Sequence, residues 1–323
     1  MNRKKIILIL NFGYEITKAL SIFVFVTLGV FLFIHWMPGS EADSWYIDSS
    51  NINHENQLIF IKYINWLYKA IQLDFGFSLR KSSYVIDGIY HSFPVTIYLL
   101  VGASLVSIIL SLAIGILWAT SESNFFVRSL CLTSNIFSSI PIYLLGMGAI
   151  TGVYFYLKSQ HIHPDYMGIW RLGNIQEQKF LLSFVMFLIP PTLLGVGNGN
   201  LIELSVVIKD SIKKILNTEF IKAVRARGAS VTKHVAQNLL LDLISLIDAR
   251  ITYLISGAVI IENVFIWNGL GWLGVEAAKE NDYPVIMALV LLYSCIIIFV
   301  RICKISLFYL IDPRMRANSN VTV

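Results

Sequence analysis

The sequence predicts an all-α, polytopic membrane protein, and three observations lead to that fold class. Hydrophobic residues make up 56% of the 323 residues, charged residues make up only 14%, and the mean hydropathy is +0.69. A soluble core of this length could not bury so much apolar surface. Several apolar runs reach the ~20 residues with which a helix crosses ~30 Å of hydrocarbon. The same runs lack the roughly ten-residue alternating segments that are typical of membrane β-strands.

Six apolar runs are long enough to span a bilayer. We predict one transmembrane helix from each of residues 19–37, 95–118, 131–157, 180–196, 244–264 and 285–310. The first run follows Arg3, Lys4 and Lys5, as the core of a secretory signal does, but it is longer than such a core. We therefore expect it to stay in the protein as the first span.

The predicted spans divide the chain into segments on the two sides of a membrane. Residues 1–18 are expected to be a cytoplasmic N-terminal segment, 38–94 an extracytoplasmic region, 95–310 a core domain with five spans, and 311–323 a cytoplasmic tail. This orientation places most of the 25 Lys and Arg residues on the cytoplasmic side, where membrane proteins carry their excess of basic residues. The apolar stretch at 58–73 is too short and too polar to span, so we expect a small helix on the outer face.

The charge balance and the cysteines do not indicate nucleic-acid binding or redox chemistry. The formal net charge is +5, as expected for basic loops beside anionic lipid headgroups. Cys131, Cys295 and Cys303 fall inside predicted spans, where a thiol packs as a small apolar group. We therefore expect no disulfide framework and no contact with nucleic acid.

Two patterns resemble ligand sites but lack essential parts. His161 and His163 are spaced as two metal ligands, but no third ligand accompanies them. Gly195, Gly197 and Gly199 have the spacing of a phosphate-binding loop, but they follow no predicted strand. The sequence also contains neither Gly-Lys-Ser nor Gly-Lys-Thr, so it has no Walker A motif. We predict no catalytic, metal or cofactor site, and ATP hydrolysis would belong to another chain.

Three charged residues lie in or beside the fifth predicted span, where an unpaired charge is costly. Asp248 and Arg250 are near its predicted cytoplasmic end, and we expect them to form ion pairs or to reach water, with a substrate-binding role as the alternative. Glu262 is near the other end, beside Trp267 and a Gly-rich turn that it is expected to order.

The connection at residues 208–240 contains the start and stop signals of two short helices. Thr218 is a candidate N-cap of the first helix, and Glu219 complements its positive end. Arg225 and Arg227 suit its negative end. Gly228 can adopt the left-handed conformation that terminates a helix. Ser230 is a candidate N-cap of the second helix.

The first of these two helices carries an apolar ridge with basic flanks. Phe220, Ala223 and Val224 recur at helical spacing, beside Lys222 and Arg225. A soluble DNA-binding helix-turn-helix has a similar local pattern, but a segment held between two spans would lie beside an anionic membrane that repels DNA. We therefore expect this element to dock into a groove of a partner protein.

Short motifs along the rest of the chain occur in the order in which one family of membrane permeases has them. They are Asp74-Phe-Gly-Phe-Ser78, Phe93-Pro-Val-Thr-Ile97, Ser139-Ile-Pro-Ile-Tyr143, Glu262-Asn-Val-Phe-Ile-Trp-Asn-Gly-Leu-Gly271, Asp282-Tyr-Pro284 and Asp312-Pro-Arg314. Over most of its length the chain resembles the B-type permease of the oligopeptide, dipeptide and nickel group of ABC importers. Residues 219–238 are similar to the coupling loop of that family, often called the EAA loop.

The resemblance implies roles for two sets of residues. The coupling-loop set is Glu219, Phe220, Lys222, Ala223, Val224, Arg225, Arg227, Gly228 and Ser230. The structural-signature set is Glu262, Trp267, Gly269, Gly271, Asp312 and Pro313. Three positions depart from the family pattern: Leu241-Asp242 replaces a common Leu-Pro, Asn268 replaces the signature proline, and Lys222-Ala223-Val224 stands at the Glu-Ala-Ala triplet.

The resemblance also implies a fold, partners and a location. The fold would be that of a type I ABC importer permease in the bacterial plasma membrane, with both termini in the cytoplasm. The partners would be a second homologous permease, two ABC ATPase subunits that bind ATP and Mg²⁺, an extracytoplasmic substrate-binding protein and membrane lipid. The chain itself would not be an enzyme and would form half of a translocation pathway.

The substrate stays open at this point. Peptides are the first expectation, nickel or a metal chelate the second, and a polyamine or an antimicrobial peptide, as in Sap-type permeases, the third. Two other classes of function are alternatives. An ion-coupled secondary transporter would need an intramembrane ion relay and commonly an internal repeat, and a membrane-embedded enzyme would need a convergent catalytic constellation. The sequence displays neither feature.

Overall fold

The computed structural model describes residues 3–36, 59–78, 80–159, 180–197 and 199–311. Within these ranges the chain is helical apart from turns and one isolated antiparallel bridge between Phe77 and Tyr84. The helices are α1 (Arg3–Trp36), α2 (Ile59–Ile71), α3 (Val85–Thr120), α4 (Phe125–Ser139), α5 (Ile142–Ser159), α6 (Phe180–Val196), α7 (Asn200–Leu216), α8 (Glu219–Ala226), α9 (Val231–Ser245), α10 (Ile247–Phe265), α11 (Leu270–Glu280) and α12 (Tyr283–Ile311). The all-α prediction is confirmed for the described part of the chain.

Three of the predicted spans are continuous helices. Long apolar segments that satisfy the requirements for crossing a membrane occur at Ile16–Trp36, Val85–Thr120 and Tyr283–Phe308. The second of them begins ten residues before the predicted start at 95, because Pro94 lies inside α3 rather than at its first turn. Residues 85–94, which belong to the predicted extracytoplasmic region, are thus part of the same helix as the predicted span.

The third predicted span is wrong as a single helix. Residues 131–157 contain the end of α4 and most of α5, and these two helices are bent by 99° at the break between them. Pro141 lies at the break, where it has no N–H to donate and its ring excludes a continuous helix. Its carbonyl oxygen instead accepts the Leu144 N–H at 2.9 Å, so Pro141 starts α5.

The fourth and fifth predicted spans are also parts of broken pairs. Helix α6 has the predicted bounds, but it is followed after a short break by α7, and the pair is bent by 53°. The predicted span at 244–264 begins inside α9 and crosses a break at Leu246, where the pair α9–α10 is bent by 54°. Among the residues that the structure describes, three single helices are long and apolar enough to span, and up to six crossings result if each bent pair makes one.

The helices belong to two compact units. Unit 1 consists of residues 1–95 and 268–323, and unit 2 consists of residues 96–267. Unit 1 contains α1, α2, α11, α12 and the first part of α3.

The core of unit 1 includes aromatic residues of α1 and α2. The rings of Phe31 and Tyr63 meet edge to face at 5.5 Å, and Thr27 hydrogen-bonds the Tyr63 hydroxyl at 2.8 Å. The helix predicted near 58–73 is confirmed as α2.

Within unit 1, the loop that follows α2 is bonded to α11 and to the start of α12. Ser78 Oγ donates to Asp282 Oδ2 at 2.5 Å, and both residues are buried. Arg80 Nε donates to the carbonyl oxygen of Glu280 at 2.8 Å. The ammonium group of Lys81 lies 5.3 Å from the ring centroid of Trp272, within cation–π range. The loop is thus held by α11 and the start of α12.

Glycines allow helices of unit 2 to approach one another closely. A Cβ added at Gly195 of α6 would lie 2.6 Å from the Ala103 carbonyl oxygen of α3, and one at Gly115 of α3 would lie 2.7 Å from Ile208 of α7. Close backbone approach of this kind is a principal source of helix association in membranes, where the hydrophobic effect between helices is weak. Helix α3 therefore packs against both halves of the α6–α7 pair.

We expect Gly195→Ala to destabilise the detergent-solubilised protein. The added methyl group would meet backbone atoms of α3, which cannot move aside as a flexible side chain can, and overpacking of this kind costs about 1–3 kcal/mol. Thermal unfolding followed by size-exclusion chromatography measures the effect. Gly148→Ala in α5 is the matched control, because a Cβ there meets nothing within 4 Å. Equal midpoints for the two variants would contradict the proposed close contact.

Candidate functional site: the α8–α9 surface and the broken spans behind it

We use the name α8–α9 surface for the exposed side of helices α8 and α9, the two short helices predicted within 208–240. Its exposed residues on and next to α8 include Phe220, Lys222, Ala223, Arg225 and Arg227. Helix α8 ends in a Schellman motif: the N–H of Gly228 donates to the Arg225 carbonyl at 3.0 Å, and the N–H of Ala229 donates to the Val224 carbonyl at 3.2 Å. Gly228 has a φ of +69°, in the left-handed region that favours glycine. The predicted glycine stop is confirmed, and it sets the direction in which the chain leaves α8.

The two predicted N-caps have the expected positions without the expected hydrogen bonds. Thr218 and Ser230 are the N-cap residues of α8 and α9, but neither side chain makes a capping bond. Thr218 Oγ1 instead donates back to the Ile215 carbonyl at 2.7 Å, and Ser230 Oγ lies 2.9 Å from Thr232 Oγ1. Each hydroxyl group forms a hydrogen bond with a nearby group other than the helix N–H groups, and the sequence pattern does not reveal this alternative partner.

The apolar ridge predicted on α8 is partly wrong. Val224 is only 6% exposed and Ile221 is fully buried, so these two side chains pack inside unit 2. Phe220 is 54% exposed, and Ala223 is also exposed. Residues three apart lie on the same side of a helix, and Ile221 and Val224 are the buried pair of α8. The part of the ridge that is open to a partner is therefore Phe220 and Ala223.

Charged groups surround the exposed part of α8. Lys222 donates to Glu219 at 2.7 Å across one helical turn, and both groups are exposed, so this pair contributes little to stability. Arg225 and Arg227 are exposed at the C-terminal end of the helix. The ring of Phe220 meets His234 of α9 edge to face at 5.3 Å. The α8–α9 surface thus presents an aromatic ring among basic groups, a combination that fits a partner with an apolar groove and an acidic rim.

The α8–α9 surface rests on α7 through an apolar layer. The layer consists of buried and partly buried residues of α7 and α9, with further contacts from α3, namely Leu204, Ile208, Ile212, Leu239, Val235, Leu243, Leu112 and Ala119. Ile208 is fully buried. Helices α7 and α9 are therefore joined by close-packed apolar side chains.

A polar cluster lies at the start of α7, next to the break between α6 and α7. The side-chain amide of Asn200 is buried and donates to the Gly195 carbonyl of α6 and to Ser107 Oγ of α3, each at 3.2 Å. Its Oδ1 accepts a hydrogen bond from Arg250 of α10 at 2.8 Å. Arg250 also pairs with Glu203 of α7 at 3.1 Å. Four helices of unit 2 meet in this cluster.

The predicted ion pairing of Arg250 is confirmed, and its partner is Glu203. Asn200 and Glu203 were not among the predicted site residues, although the sequence contains one signal for Asn200. A Gly-x-Gly-x-Gly segment inside an apolar region creates carbonyl groups without helical partners, and the first amide or carboxylate side chain after it is a candidate to satisfy them. Asn200 follows Gly199 directly, and Gly199 has a φ of +82°.

A second charged pair lies farther along α7. Lys213 hydrogen-bonds the carboxylate of Glu122, which precedes α4. This hydrogen bond, assisted by the charge of Lys213, lowers the pKa of Glu122 below its ordinary value. The ammonium group of Lys209 lies 4.5 Å from the ring centroid of Trp118. These contacts join α7 to the connection between α3 and α4.

The structural-signature residues lie in both units. In unit 2, Glu262 is buried, its Oε1 accepts a hydrogen bond from Thr96 Oγ1 at 2.6 Å, and its carbonyl oxygen accepts the Trp267 N–H at 2.8 Å. The carbonyl bond attaches Glu262 to the turn that it was predicted to order. In unit 1, Gly269 is the N-cap of α11 and Gly271 is buried in its first turn. Asp312 and Pro313 lie outside the described residues.

Trp267 belongs to an aromatic cluster inside unit 2. The rings of Tyr98 and Phe187 stack at 4.1 Å, and each lies about 6 Å from the ring of Trp267. Tyr98 also donates its hydroxyl to the Phe187 carbonyl at 3.1 Å. The cluster connects α3, α6 and the end of α10, so the turn after α10 is anchored on two of the spanning segments.

The described residues hold no group of three or more His, Cys, Asp or Glu side chains arranged to bind a metal ion. His161 and His163, the one histidine pair with ligand spacing in the sequence, lie outside the described residues. The described part of the chain instead has the exposed α8–α9 surface and a polar cluster at two helix breaks.

Comparison with known proteins agrees with the motifs. The family described as binding-protein-dependent transport system inner membrane component matches residues 111–317. A peptide permease protein of Brucella suis biovar 1 is 26% identical over 320 residues, covering 94% of this chain and 98% of that protein. The oligopeptide transport system permease protein AppB of Bacillus subtilis is 25% identical, covering 85% and 86%. The glutathione transport system permease protein GsiC of Escherichia coli K12 is 26% identical, covering 90% and 94%.

The family match takes in more than half of the 323 residues, including the α8–α9 surface and both breaks beside Asn200 and Arg250. The chain therefore belongs to the family of binding-protein-dependent transport system inner membrane components, and it is a multi-pass ABC importer permease with the type I fold.

Proposed function

We propose that this chain forms half of the translocation pathway of an ATP-driven importer of peptides, and that it docks to its ATPase subunits through the α8–α9 surface. The observation that carries the proposal is this surface itself: Phe220 and a set of basic side chains are exposed, while Ile221 and Val224 bind the same helix to the rest of unit 2. A partner can bind the exposed side of α8, and a displacement of α8 can reach the spans through its buried side chains.

The chemistry of ATP hydrolysis belongs to partner subunits in this proposal. The sequence lacks a Walker A motif, so ATP and Mg²⁺ would be bound by two ATPase chains. A second permease would complete the pathway, and an extracytoplasmic binding protein would deliver the substrate. The α8–α9 surface and both termini would then face the cytoplasm, the side to which the distribution of Lys and Arg also assigns them.

ATP binding would act by shifting a conformational equilibrium. An ATPase dimer that closes can favour one state of the permease only if its contacts with the permease differ between the two states. The α8–α9 surface is suited to provide such contacts, because the apolar layer beneath it transmits displacement to α7. The broken pairs α6–α7 and α9–α10 give the spans places where the bend can change.

Peptides are the proposed substrate class because the relatives similar over most of this chain carry peptide, oligopeptide and glutathione in their names. Glutathione is itself a short peptide. We therefore place short peptides before nickel, metal chelates, polyamines and antimicrobial peptides.

The first test isolates the tagged chain with its partners in mild detergent and reconstitutes the complex in proteoliposomes. We expect a second permease and ATPase chains to copurify, and ATP-dependent uptake of di-, tri- or oligopeptides to require the binding protein. Nickel, spermidine and glutathione are tested in parallel. Uptake driven by an ion gradient without any ATPase would contradict the proposal and favour a secondary transporter.

We expect Gly228→Val to reduce ATP-driven uptake at least severalfold while the protein still inserts in the membrane. A Cβ at this position meets nothing within 4 Å, so the effect comes from backbone strain at a φ of +69°, which costs about 1–2 kcal/mol for an L residue. The strain favours a different exit from α8. Gly228→Asn is the matched control, since Asn tolerates the left-handed conformation, and it should keep most of the uptake. Normal uptake by the valine variant would be evidence against a coupling role.

We expect Phe220→Asp to separate ATP hydrolysis from uptake. The substitution places a negative charge where the surface offers an exposed ring among basic groups, so the fit to the ATPase would weaken without loss of the buried contacts of Ile221 and Val224. Hydrolysis and uptake are measured on the same proteoliposomes, with Phe220→Leu as the conservative control. Uptake per ATP equal to that of the unmodified complex would show that Phe220 is not part of the docking surface.

A further inference from the structure

Two of the three broken pairs described in unit 2, α6–α7 and α9–α10, are joined to each other at their breaks. Asn200 is the first residue of α7 after the break at 197–199, and Arg250 is four residues past the break at Leu246. A hydrogen bond of 2.8 Å joins their side chains. The same guanidinium nitrogen of Arg250 lies 3.1 Å from Glu203, one turn further along α7. One side chain therefore links the start of α7 to the start of α10.

The burial of the cluster distinguishes it from an ordinary surface ion pair. Asn200 is 1% exposed and the Arg250 side chain is 20% exposed, whereas Glu203 is 68% exposed. A buried amide loses more when its partner is removed than an exposed carboxylate does. The Asn200–Arg250 hydrogen bond is thus the stronger constraint, and Glu203 supplies the compensating charge at the edge of the cluster.

Asn200 also passes the constraint on to two more helices. Its amide nitrogen holds the Gly195 carbonyl, one of the last carbonyls of α6, and the hydroxyl of Ser107 on α3. If Arg250 moves, Asn200 therefore carries the displacement to both α6 and α7. Gly195 is packed against the α3 backbone, so the residues at this junction have little room to move independently.

From this arrangement we infer that Arg250 is a positioning residue for transport: it makes the bend of the α9–α10 pair and the bend of the α6–α7 pair change together. The inference rests on the proposed function, in which ATPase partners move the α8–α9 surface. The apolar layer between α9 and α7 transmits the displacement to the middle of α7, and Arg250 extends it to the break that α7 shares with α6.

We expect removal of the Arg250 side chain to leave ATPase docking and ATP hydrolysis intact. Movement of the α8–α9 surface should then no longer change the bend of the α6–α7 pair. In the reconstituted complex, we expect Arg250→Met to retain ATP hydrolysis and to lower uptake per ATP about fivefold or more, the lower end of common allosteric couplings. Arg250→Lys keeps the charge without the planar guanidinium group, so it should recover part of the loss. Glu203→Gln should have a smaller effect, because Asn200 still binds Arg250.

The matched control is Glu122→Gln. This substitution removes the carboxylate partner of Lys213 on the same helix α7, but it lies away from both breaks. We expect its uptake per ATP to equal that of the unmodified complex. An equal loss in Glu122→Gln and Arg250→Met would show that any charge change on or beside α7 disturbs transport, and it would overturn the inference.

Distances between spin labels supply a readout that a general loss of stability would not change selectively. In a background with Cys131, Cys295 and Cys303 replaced, a reference label at Met147 of α5 is paired with a label at Gln237 of α9 or at Leu188 of α6. All three positions are exposed. We expect both distances to differ between the nucleotide-free and ATP-bound complex, and only the α9 distance to differ in Arg250→Met.

The outcomes separate the inference from the proposed function. If the unmodified complex shows no ATP-dependent change at α9 and no ATP-driven uptake, the proposed function fails and the inference fails with it. If the unmodified complex transports and Arg250→Met behaves identically in uptake and in both distances, the inference alone is overturned. If the Arg250→Met complex fails to assemble, the Arg250→Lys complex is used instead. Reduced uptake per ATP, together with loss of the ATP-dependent change in the α6 distance but not in the α9 distance, supports the inference. Unchanged uptake and unchanged distances overturn it.

Discussion

Every backbone carbonyl that a helix break releases inside an apolar span has to find a partner within the protein. Hydrocarbon offers no hydrogen bonds, and an unsatisfied group there costs several kcal/mol. The break between α6 and α7 meets this requirement with Asn200, whose amide group holds the Gly195 carbonyl. The organisation of unit 2 follows from that need, because satisfying Asn200 in turn brings in Ser107 and Arg250 from two other helices.

The same requirement explains why the polar and apolar parts of unit 2 are adjacent. An arginine in the interior of a membrane protein has to be paired or hydrogen-bonded, and Arg250 is both, through Glu203 and Asn200. The apolar layer of α7 and α9 begins one turn beyond Asn200 of this cluster along α7, at Leu204. The polar cluster joins α3, α6, α7 and α10, and the apolar layer packs α7 against α9 and α3.

Length and hydropathy were sufficient to predict the fold class and the position of most helices. The long helices α1, α3 and α12 follow from uninterrupted apolar runs, and the stop at Gly228 follows from the conformational freedom of glycine. The breaks could not be placed by the same reasoning, because the runs 131–157 and 244–264 are each long and apolar enough overall to be read as one span. The burial of Val224 also could not, since a helix of eight residues has apolar side chains on more than one face and only its packing partner decides which face is inside.

The composition of unit 1 has a consequence for how the chain is made. Unit 2 is one continuous stretch of sequence, so all its helices are available once residue 267 has left the ribosome. Unit 1 combines the first helices with the last two, and the contact between Ser78 and Asp282 joins residues 204 positions apart. Because synthesis proceeds from the N-terminus, α1 and α2 are made well before α11 and α12. Their exposed aromatic and apolar surface is then open to insertion factors and to wrong partners for the whole of that interval.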